Sequence, residues 1–350
     1  MVNSNNKYWQ RRFEKRKTEG MAEAEAFNRA MAKRYQWIIK EVEKDVEYWY
    51  RRYARENHMS LADTKKQLRA GELKAFKLTL EEYTKLAKQE KLSPEVLDML
   101  NKASIRVRLT RQEEIYITLS VRVEQALQAL KQDFRPMLKG VYEDSYYKSM
   151  HEVQSVTGYT NVTRLADENI DTVLKNPWAS DGKIFSDRIW DNQNRLINTL
   201  RHELAQSLIL QEGGAPLVGR MQKRFNVSFN DARRLVETET AFIQEKSFID
   251  SMKTLHVEKY QIIATLDNRT TPICRKLDLE IFDLKDAKPG ISTPPFHVYC
   301  RSTTVPYIEG ISDDEDDTRA ARLGGDGKTH DVNSKLSYEQ WRREYVKDGR

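Results

Sequence analysis

Residues 292–307 read S-T-P-P-F-H-V-Y-C-R-S-T-T-V-P-Y, and here the chain changes character. Two adjacent prolines disfavour a helix, whereas Ser302-Thr303-Thr304-Val305 has the β-branched composition of a strand. Residues 260–266 and 280–282 are β-type runs as well. We therefore predict a small β-containing module at residues 258–310.

The region before this module has the spacing of amphipathic helices. Residues 7–56 contain no proline and one glycine, Gly20, and their apolar side chains recur roughly every three or four positions. This pattern predicts one long helix. Shorter helices are predicted to begin at Ser60, at Thr79 and at Ser93.

An apolar stripe between residues 105 and 134 predicts a further long helix. Its members are Ile105, Leu109, Tyr116, Leu119, Val123, Leu127, Leu130 and Phe134. Pro136 is expected to end or kink this helix, and residues 137–150 are predicted to be helical again. Residues 184–210 are predicted to be helical again, and Gly213-Gly214 to stop them.

A helix-turn-helix-like unit is predicted over residues 216–255. Pro216 opens a short helix, Asn226-Val227-Ser228 forms the turn, and residues 229–255 form the second helix. The basic residues of this unit are Arg220, Lys223, Arg224, Arg233 and Arg234. One interpretation is a DNA-binding regulator. The interpretation that we favour is two helices meeting at a polar turn, with arginines that are solvated or pair with Glu237 and Glu239.

These patterns predict a mainly α protein, with elongated helical N-terminal and middle regions and a small C-terminal α+β module. The predicted regions are 1–157 (extended helical), 158–257 (helical, with the helix-turn-helix-like unit), 258–310 (the module) and 311–350. The last region starts with the acidic run I-S-D-D-E-D-D and is predicted to be a solvated tail. A short helix at Ser337–Val346, with Trp341 as its anchor, is expected to close the chain.

The composition restricts the class of protein. Charged residues make up 32% and hydrophobic residues 39% of the 350 residues, which favours helices with much solvated surface. No apolar run is long enough to span a membrane, and the N-terminus lacks a signal-peptide pattern. Two cysteines do not make a secreted disulfide scaffold, so we expect the chain to stay in a cytoplasm. The net charge of +6 permits contact with nucleic acid or an acidic surface.

Both cysteines of the chain lie near one histidine in the sequence. Cys274, His297 and Cys300 are ligands of the kind that zinc accepts. Asp267 or Asp278 could supply a fourth ligand. A strand pair is expected to place Cys274 opposite His297 and Cys300. We therefore predict that the three side chains form one cluster, with zinc as the candidate metal.

Other interpretations of this cluster remain open. The thiols could be small buried hydrophobic groups, with His297 bonded to a loop backbone. A Cys274–Cys300 disulfide is disfavoured in a reducing compartment, and a catalytic Cys–His pair lacks an evident orienting partner. The enzymatic alternative is a metal-dependent nuclease or hydrolase that uses Cys274, His297 and Cys300.

Two arginines flank the cluster in the sequence. Arg269 and Arg301 are expected to clamp carboxylates such as those of Asp267 and Asp278. The chain contains no P-loop, dinucleotide-binding glycine fingerprint, H-E-x-x-H or G-x-S-x-G. We therefore expect a protein that is not an enzyme.

A basic cluster lies close to the N-terminus. Its members are Arg11, Arg12, Lys15, Arg16 and Lys17, with Trp9 and Phe13 among them. These basic side chains could bind DNA phosphates without sequence preference. The alternative, which we favour, is a helix that docks its aromatic side on a partner protein.

Several blocks of the sequence resemble one known family. They are A-T-L-D-N-R-T-T-P-I-C-R-K-L-D (264–278), P-P-F-H-V-Y-C-R-S-T-T-V-P-Y (294–307), A-R-R-L-V-E-T-E-T-A (232–241), W-A-S-D-G-K-I-F-S-D-R-I-W (178–190) and K-Y-W-Q-R-R-F-E-K-R (7–16). The chain resembles the phage Mu F-like head morphogenesis family, the minor head (minor capsid) proteins of tailed bacteriophages and prophages. It departs from the family at Leu279, where glycine is common, and at Val298, where proline is common.

This resemblance implies a function in the virion. It implies a low-copy virion component that acts in head morphogenesis at the portal region of the procapsid. Its implied location is the head interior and, during assembly, the host cytoplasm. The partners it implies are the portal protein, the scaffold and major capsid proteins, and packaged double-stranded DNA bound without sequence preference. It implies no established enzymatic activity and no membrane contact.

Overall fold

The computed structural model describes residues 4–54, 61–264, 270–308 and 346–347. Within them the fold is mainly α with a small sheet near the C-terminus, which confirms the predicted fold class. The helices of the N-terminal half are α1 (Ser4–Trp49), α2 (Leu61–Thr64), α3 (Ala70–Gln89), α4 (Pro94–Ile105), α5 (Arg111–Gln132) and α6 (Phe134–Thr157). A π-helical turn, Tyr50–Ala54, continues α1.

The C-terminal half adds helices and two small sheets. Its helices are α7 (Asp167–Lys175), α8 (Phe185–Ile209), α9 (Gly214–Thr254) and α10 (Pro272–Leu277), with a 3₁₀ turn at Leu284–Asp286. The strands are β1 (Val162–Thr163), β2 (Lys259–Ile263), β3 (Ile281–Asp283), β4 (Thr303–Tyr307) and β5 (Val346–Lys347). The strands β2, β3 and β4 confirm the β-type runs that the sequence predicts.

The three-stranded sheet has β2 at its centre. Strands β3 and β4 both pair antiparallel with β2, and Gln261 lies opposite Ile281 on one side and Val305 on the other. Because β4 is an edge strand of this sheet, Pro306 is accommodated in it. Strands β1 and β5 form a separate parallel pair.

Two predicted helix starts are wrong. Helix α3 begins at Ala70 rather than at Thr79, because the carboxylate of Glu72 accepts a hydrogen bond from the backbone N–H of Arg69 at 2.7 Å and caps the first turn. Helix α5 begins at Arg111, where Thr110 and Glu113 form a capping box, so Ile105 belongs to α4 and is exposed. The predicted start at Ser93-Pro94 is confirmed.

The predicted helix-turn-helix-like unit is also wrong. Residues 214–254 form the single helix α9, and Asn226-Val227-Ser228 lie inside it. This triplet contains neither glycine nor proline, so nothing in the local sequence breaks the helix. Buried Ser228 is instead fixed by Asn192 of α8, which donates to its carbonyl oxygen at 3.1 Å, and by the hydroxyl of Tyr35, also 3.1 Å away.

The described chain forms two compact units. Unit 1 comprises residues 1–26, 135–185 and 234–350, and unit 2 comprises residues 27–134 and 186–233. Helices α1 and α9 contribute residues to both units. The predicted tail helix lies outside the described residues except for Val346, which forms part of β5 together with Lys347.

Unit 2 contains a helical core. The buried apolar side chains that α1 and its π-turn contribute are Met31, Tyr35, Ile38, Val42, Val46, Trp49 and Tyr53, at steps of three or four residues. Buried polar pairs tie helices of this unit together. Arg122 of α5, for example, donates through Nε to Asp45 of α1 at 2.8 Å.

The core of unit 1 joins the N-terminal part of α1 to the sheet. Trp9 and Phe13 are 0% and 3% exposed, and they pack in one cluster with Phe248 of α9 and Tyr260 of β2. The favoured expectation that these aromatics dock on a partner protein is therefore wrong. Gly20 leaves room for the side chain of Gln244 of α9, which donates to the carbonyl oxygen of Arg16 at 3.2 Å.

The hydropathy of the helices bears on whether any of them could cross a membrane. Across the described part of the chain, no helix combines the length and the apolar composition that a membrane crossing requires.

Candidate metal centre

Cys274 lies in the first turn of α10. Pro272 occupies an early helical position, where a missing N–H costs nothing, and the N–H of Arg275 closes the turn on the carbonyl of Thr271 at 3.1 Å. The thiol is buried beside Ala264 and Cys300. The expectation that a strand delivers Cys274 is wrong, because this proline starts a helix.

His297 and Cys300 lie at the two ends of one turn. The N–H of Cys300 donates to the carbonyl oxygen of His297 at 3.2 Å, and Tyr299 between them has a left-handed backbone with φ of 60°. Cys300 is buried, whereas His297 is half-buried. Strand β4 begins three residues after Cys300, so the turn is anchored directly to the sheet.

The structure brings the three side chains together. The Sγ atom of Cys274 lies 3.2 Å from Nε2 of His297 and 3.8 Å from Sγ of Cys300. All three potential ligand atoms lie within 4.8 Å of one another. Both cysteines are free thiols.

The orientation of the imidazole is set by its other nitrogen. Nδ1 of His297 lies 2.8 Å from the carbonyl oxygen of Val298. Because a carbonyl oxygen only accepts, Nδ1 carries the proton in this contact, and the lone pair of Nε2 faces Cys274.

Two ionisable side chains, Lys17 and Glu245, lie close to one another, and Lys17 also lies close to both thiols. The ammonium group of Lys17 donates to the carbonyl oxygen of Ser302, and burial lowers the pKa of this lysine. Burial raises the pKa of Glu245, although its carboxylate accepts hydrogen bonds from the hydroxyls of Thr303 at 2.6 Å and Thr304 at 2.7 Å. Burial also raises the pKa of the Cys300 thiol, which the charge of Lys17 opposes.

Sequence reasoning missed the role of this pair. The sequence places Lys17 in the N-terminal basic cluster and gives no motif around Glu245. A signal does exist in α9, because Glu245 lies three residues from both Phe242 and Phe248, on the apolar face of the helix. An ionisable residue on such a face indicates a buried polar contact.

Among the described residues, no arginine pairs with Asp278. Asp278 accepts a hydrogen bond from the backbone N–H of Ala264 at 2.7 Å, and Arg301 donates to the hydroxyl of Thr270 at 3.4 Å. Asp278 thus links the end of α10 to the end of β2. Asp267 and Arg269, named as a ligand and a clamp, lie outside the described residues.

The N-terminal basic residues have different environments. Arg12 pairs with Glu152 at 2.8 Å, and buried Arg16 donates to the carbonyl of Lys148, also at 2.8 Å. Lys15 is exposed, and the side chain of Arg11 lies outside the described part of the structure. Of the arginines in the former helix-turn-helix-like unit, Arg220 and Arg224 pair with Glu203, and Arg233 and Arg234 are at exposed positions of α9.

Part of the chain is similar to a known protein family. Residues 198–305 match the family described as Phage Mu protein F like protein. These residues form a Mu F-like segment. The segment includes α9, α10, β2, β3 and all three side chains of the cluster, and it confirms the resemblance that the motifs indicate.

The Mu F-like segment lies within a wider similarity. The chain is 26% identical over 258 residues to minor head protein GP7 of Bacillus phage SPP1, an alignment that covers 64% of this chain and 79% of the relative. No solved structure matches the chain. The chain is therefore similar to a phage minor head protein over 64% of its length.

Proposed function

We propose that this chain is a minor head protein that acts in head morphogenesis at the portal region of a tailed phage. The observation that carries the proposal is the similarity to minor head protein GP7, together with the Mu F-like segment at residues 198–305. A protein in this role is a low-copy component of the virion head. Its partners are the portal protein first, and the scaffold and major capsid proteins during assembly.

One exposed segment offers a surface for a protein contact. Ile105, the last residue of α4, and Val107, in the connection to α5, are 79% and 80% exposed, and Arg106 and Arg108 alternate with them. Apolar side chains exposed to this degree favour burial against a partner. We assign this segment to the portal contact.

The test is co-expression of the full chain with the portal protein encoded by the same phage or prophage. We expect the two to co-elute in size-exclusion chromatography, and we expect mass spectrometry of purified heads to detect far fewer copies of this chain than of the major capsid protein. Absence of the chain from purified heads would overturn the proposal.

A matched pair of variants localises the contact. Ile105→Ser with Val107→Ser should weaken co-elution, whereas Ile209→Ser with Leu210→Ser, an exposed apolar pair at the end of α8, should leave it unchanged. Equal loss in both variants, or in neither, would rule out residues 105–108 as the portal contact.

The proposed role is structural rather than catalytic. The imidazole of His297 is oriented by the backbone carbonyl of Val298 rather than by a side chain, so the Cys–His pair lacks the side-chain orienting partner of a nucleophilic site. We expect no chelator-sensitive cleavage of DNA by the purified protein. DNA cleavage that a chelator stops, and that the Cys274→Ser variant lacks, would favour the enzymatic alternative.

Contact with packaged DNA is proposed to be electrostatic and independent of sequence. The continuous helix α9 removes the supporting turn that a helix-turn-helix reader needs. Each neutralised phosphate contributes a slope of about −0.9 to the dependence of log K on log salt concentration. Binding to unrelated duplexes should therefore weaken equally as salt rises. A salt-insensitive preference for one duplex would contradict this.

A further inference from the structure

We propose that Cys274, His297 and Cys300 bind one zinc ion that fastens α10 to the turn before β4. The centre uses two thiolates and one imidazole of this chain, and solvent takes the fourth position. Among the described residues, these three form the group whose ligand atoms converge within 4.8 Å. This proposal is independent of the proposed role in the phage head.

The distances match the geometry of a tetrahedral zinc site. Zn–S bonds of about 2.3 Å and Zn–N bonds of about 2.0–2.1 Å place two sulfur ligands about 3.8 Å apart, and sulfur and nitrogen about 3.6 Å apart. The observed separations are 3.8 Å between the two Sγ atoms and 3.2 Å from Sγ of Cys274 to Nε2 of His297. An adjustment of a few tenths of an ångström admits the ion.

The histidine is already prepared for a metal. Metal-bound histidines usually donate their second ring N–H to a carbonyl or carboxylate, which fixes the ring and its tautomer. Nδ1 of His297 makes such a contact with the carbonyl oxygen of Val298 at 2.8 Å. The lone pair on Nε2 therefore points toward the two thiols, as coordination requires.

The ligands stand on two separately anchored pieces of backbone. The end of α10 is held to β2, because the N–H of Leu279 donates to the carbonyl of Ile262 at 2.8 Å and Asp278 accepts from Ala264 at 2.7 Å. Cys300 leads directly into β4. A metal joining Cys274 to the 297–300 turn would therefore lock two segments that the sheet has already brought together.

The charges of the site suit a divalent ion. On binding, the two thiols release their protons to solvent, and the two thiolate charges balance the charge of the ion. The pair is buried beside Ala264 and Phe296, so a neutral centre avoids an uncompensated buried charge. Ligands of sulfur and nitrogen select zinc over magnesium or calcium, which prefer oxygen.

Two other states of the cluster make different predictions. A disulfide needs the sulfur atoms to close from 3.8 Å to about 2.05 Å, and it would leave no free thiols. Inert apolar packing would leave both thiols free and bind no metal. Metal content and thiol count together separate all three states.

The experiment measures metal on the full chain, purified under reducing conditions without chelators. We expect about one zinc ion per chain by elemental analysis. After metal removal, titration with Co²⁺ should produce thiolate-to-cobalt charge-transfer absorption and the intense visible bands of a tetrahedral site, both reversed by zinc. Cys274→Ser, Cys300→Ser and His297→Gln should each lower zinc affinity by at least about tenfold.

The controls keep the result interpretable. His202→Gln replaces an exposed histidine on α8 and should retain the metal. Asp278→Asn should also retain the metal, because the Asp278 side chain accepts a hydrogen bond from the backbone N–H of Ala264 and is not a ligand. Should a ligand variant fail to fold, the cobalt titration of the wild-type chain decides alone. A wild-type chain that carries no zinc and gives no thiolate–cobalt absorption overturns the proposal.

Discussion

The Sγ atom of Cys274 lies 3.2 Å from Nε2 of His297, although 23 residues separate the two in the chain. This contact joins α10 to the turn that leads into β4, so the proposed zinc ion should stabilise both. Zinc at about 100 times its dissociation constant adds about 2.7 kcal/mol to the stability of a chain that binds it only when folded.

Metal removal should therefore loosen this part of unit 1. We expect chelation to lower the melting temperature of the wild-type chain and to speed hydrogen exchange at residues 272–277 and 297–305. His297→Gln serves as the control, since its stability should not respond to the chelator. Identical exchange in the wild-type chain with and without zinc would contradict the prediction.

Leu279→Gly should stabilise the protein. Leu279 has a left-handed backbone with φ of 67°, which costs a residue with a side chain about 1–2 kcal/mol, and its side chain is 46% exposed. Its backbone contacts with Ile262 and Gln261 do not depend on the side chain. Glycine should therefore raise the free energy of unfolding by about 1 kcal/mol.

Chemical denaturation of Leu279→Gly and of Leu78→Gly provides the comparison. Leu78 is an exposed residue inside α3, where glycine should cost about 1 kcal/mol. The two substitutions remove the same side chain and should change stability in opposite directions. A loss of stability in both would show that the side chain of Leu279 outweighs its backbone strain.

Much of the fold could be predicted from the sequence because its signals are local. The stripe in residues 7–56 and the runs that form β2, β3 and β4 depend on composition and spacing over a few residues. The proximity of His297 and Cys300 could also be predicted from the sequence, because a short turn keeps two residues three positions apart close in space. These features needed no knowledge of distant parts of the chain.

The errors occurred where distant residues decide the outcome. Whether Trp9 and Phe13 are covered depends on α9 and β2, more than 200 residues away, so local sequence indicated a partner instead. The polar triplet at 226–228 resembles a turn, yet Asn192 and Tyr35 satisfy Ser228 within a continuous helix. The burial of Lys17 beside the thiols likewise depends on Ser302 and Glu245, which no spacing rule connects to it.

Glu203 should make unit 2 sensitive to acid. Burial opposes ionisation of Glu203, but hydrogen bonds from Arg224 at 2.6 Å and Arg220 at 2.8 Å outweigh it, and the pKa of this carboxyl is lowered. A lowered carboxyl pKa contributes stability that is present above the unfolded-state pKa. That contribution is lost as the pH falls through the folded-state pKa.

Glu203→Gln should cost about 1–2 kcal/mol at neutral pH, a value reduced for the partial exposure of both arginines. The cost should begin to shrink below the unfolded-state pKa of about 4.3, and it should disappear once the pH is below the lower folded-state pKa, where the wild-type carboxyl is protonated as well. Urea denaturation at several pH values measures both. Glu47→Gln, in an exposed pair with Arg51, should change stability little at any pH. A cost for Glu203→Gln that does not change with pH would exclude the ion pairs as its source.

Phe13→Ala should destabilise the isolated chain. The ring of Phe13 packs edge-on against Phe248 of α9 at a centroid distance of 4.7 Å, and the guanidinium of Arg16 lies 4.4 Å from its centre. Truncating a buried phenylalanine costs about 3–5 kcal/mol through lost burial and the cavity left behind. Trp37→Ala, at a position 40% exposed on the same helix, should cost much less. Thermal unfolding of both variants, without any partner present, measures the difference. Equal stability of Phe13→Ala and the wild-type chain would mean that this aromatic side of α1 needs a partner to be covered, as the sequence alone indicated.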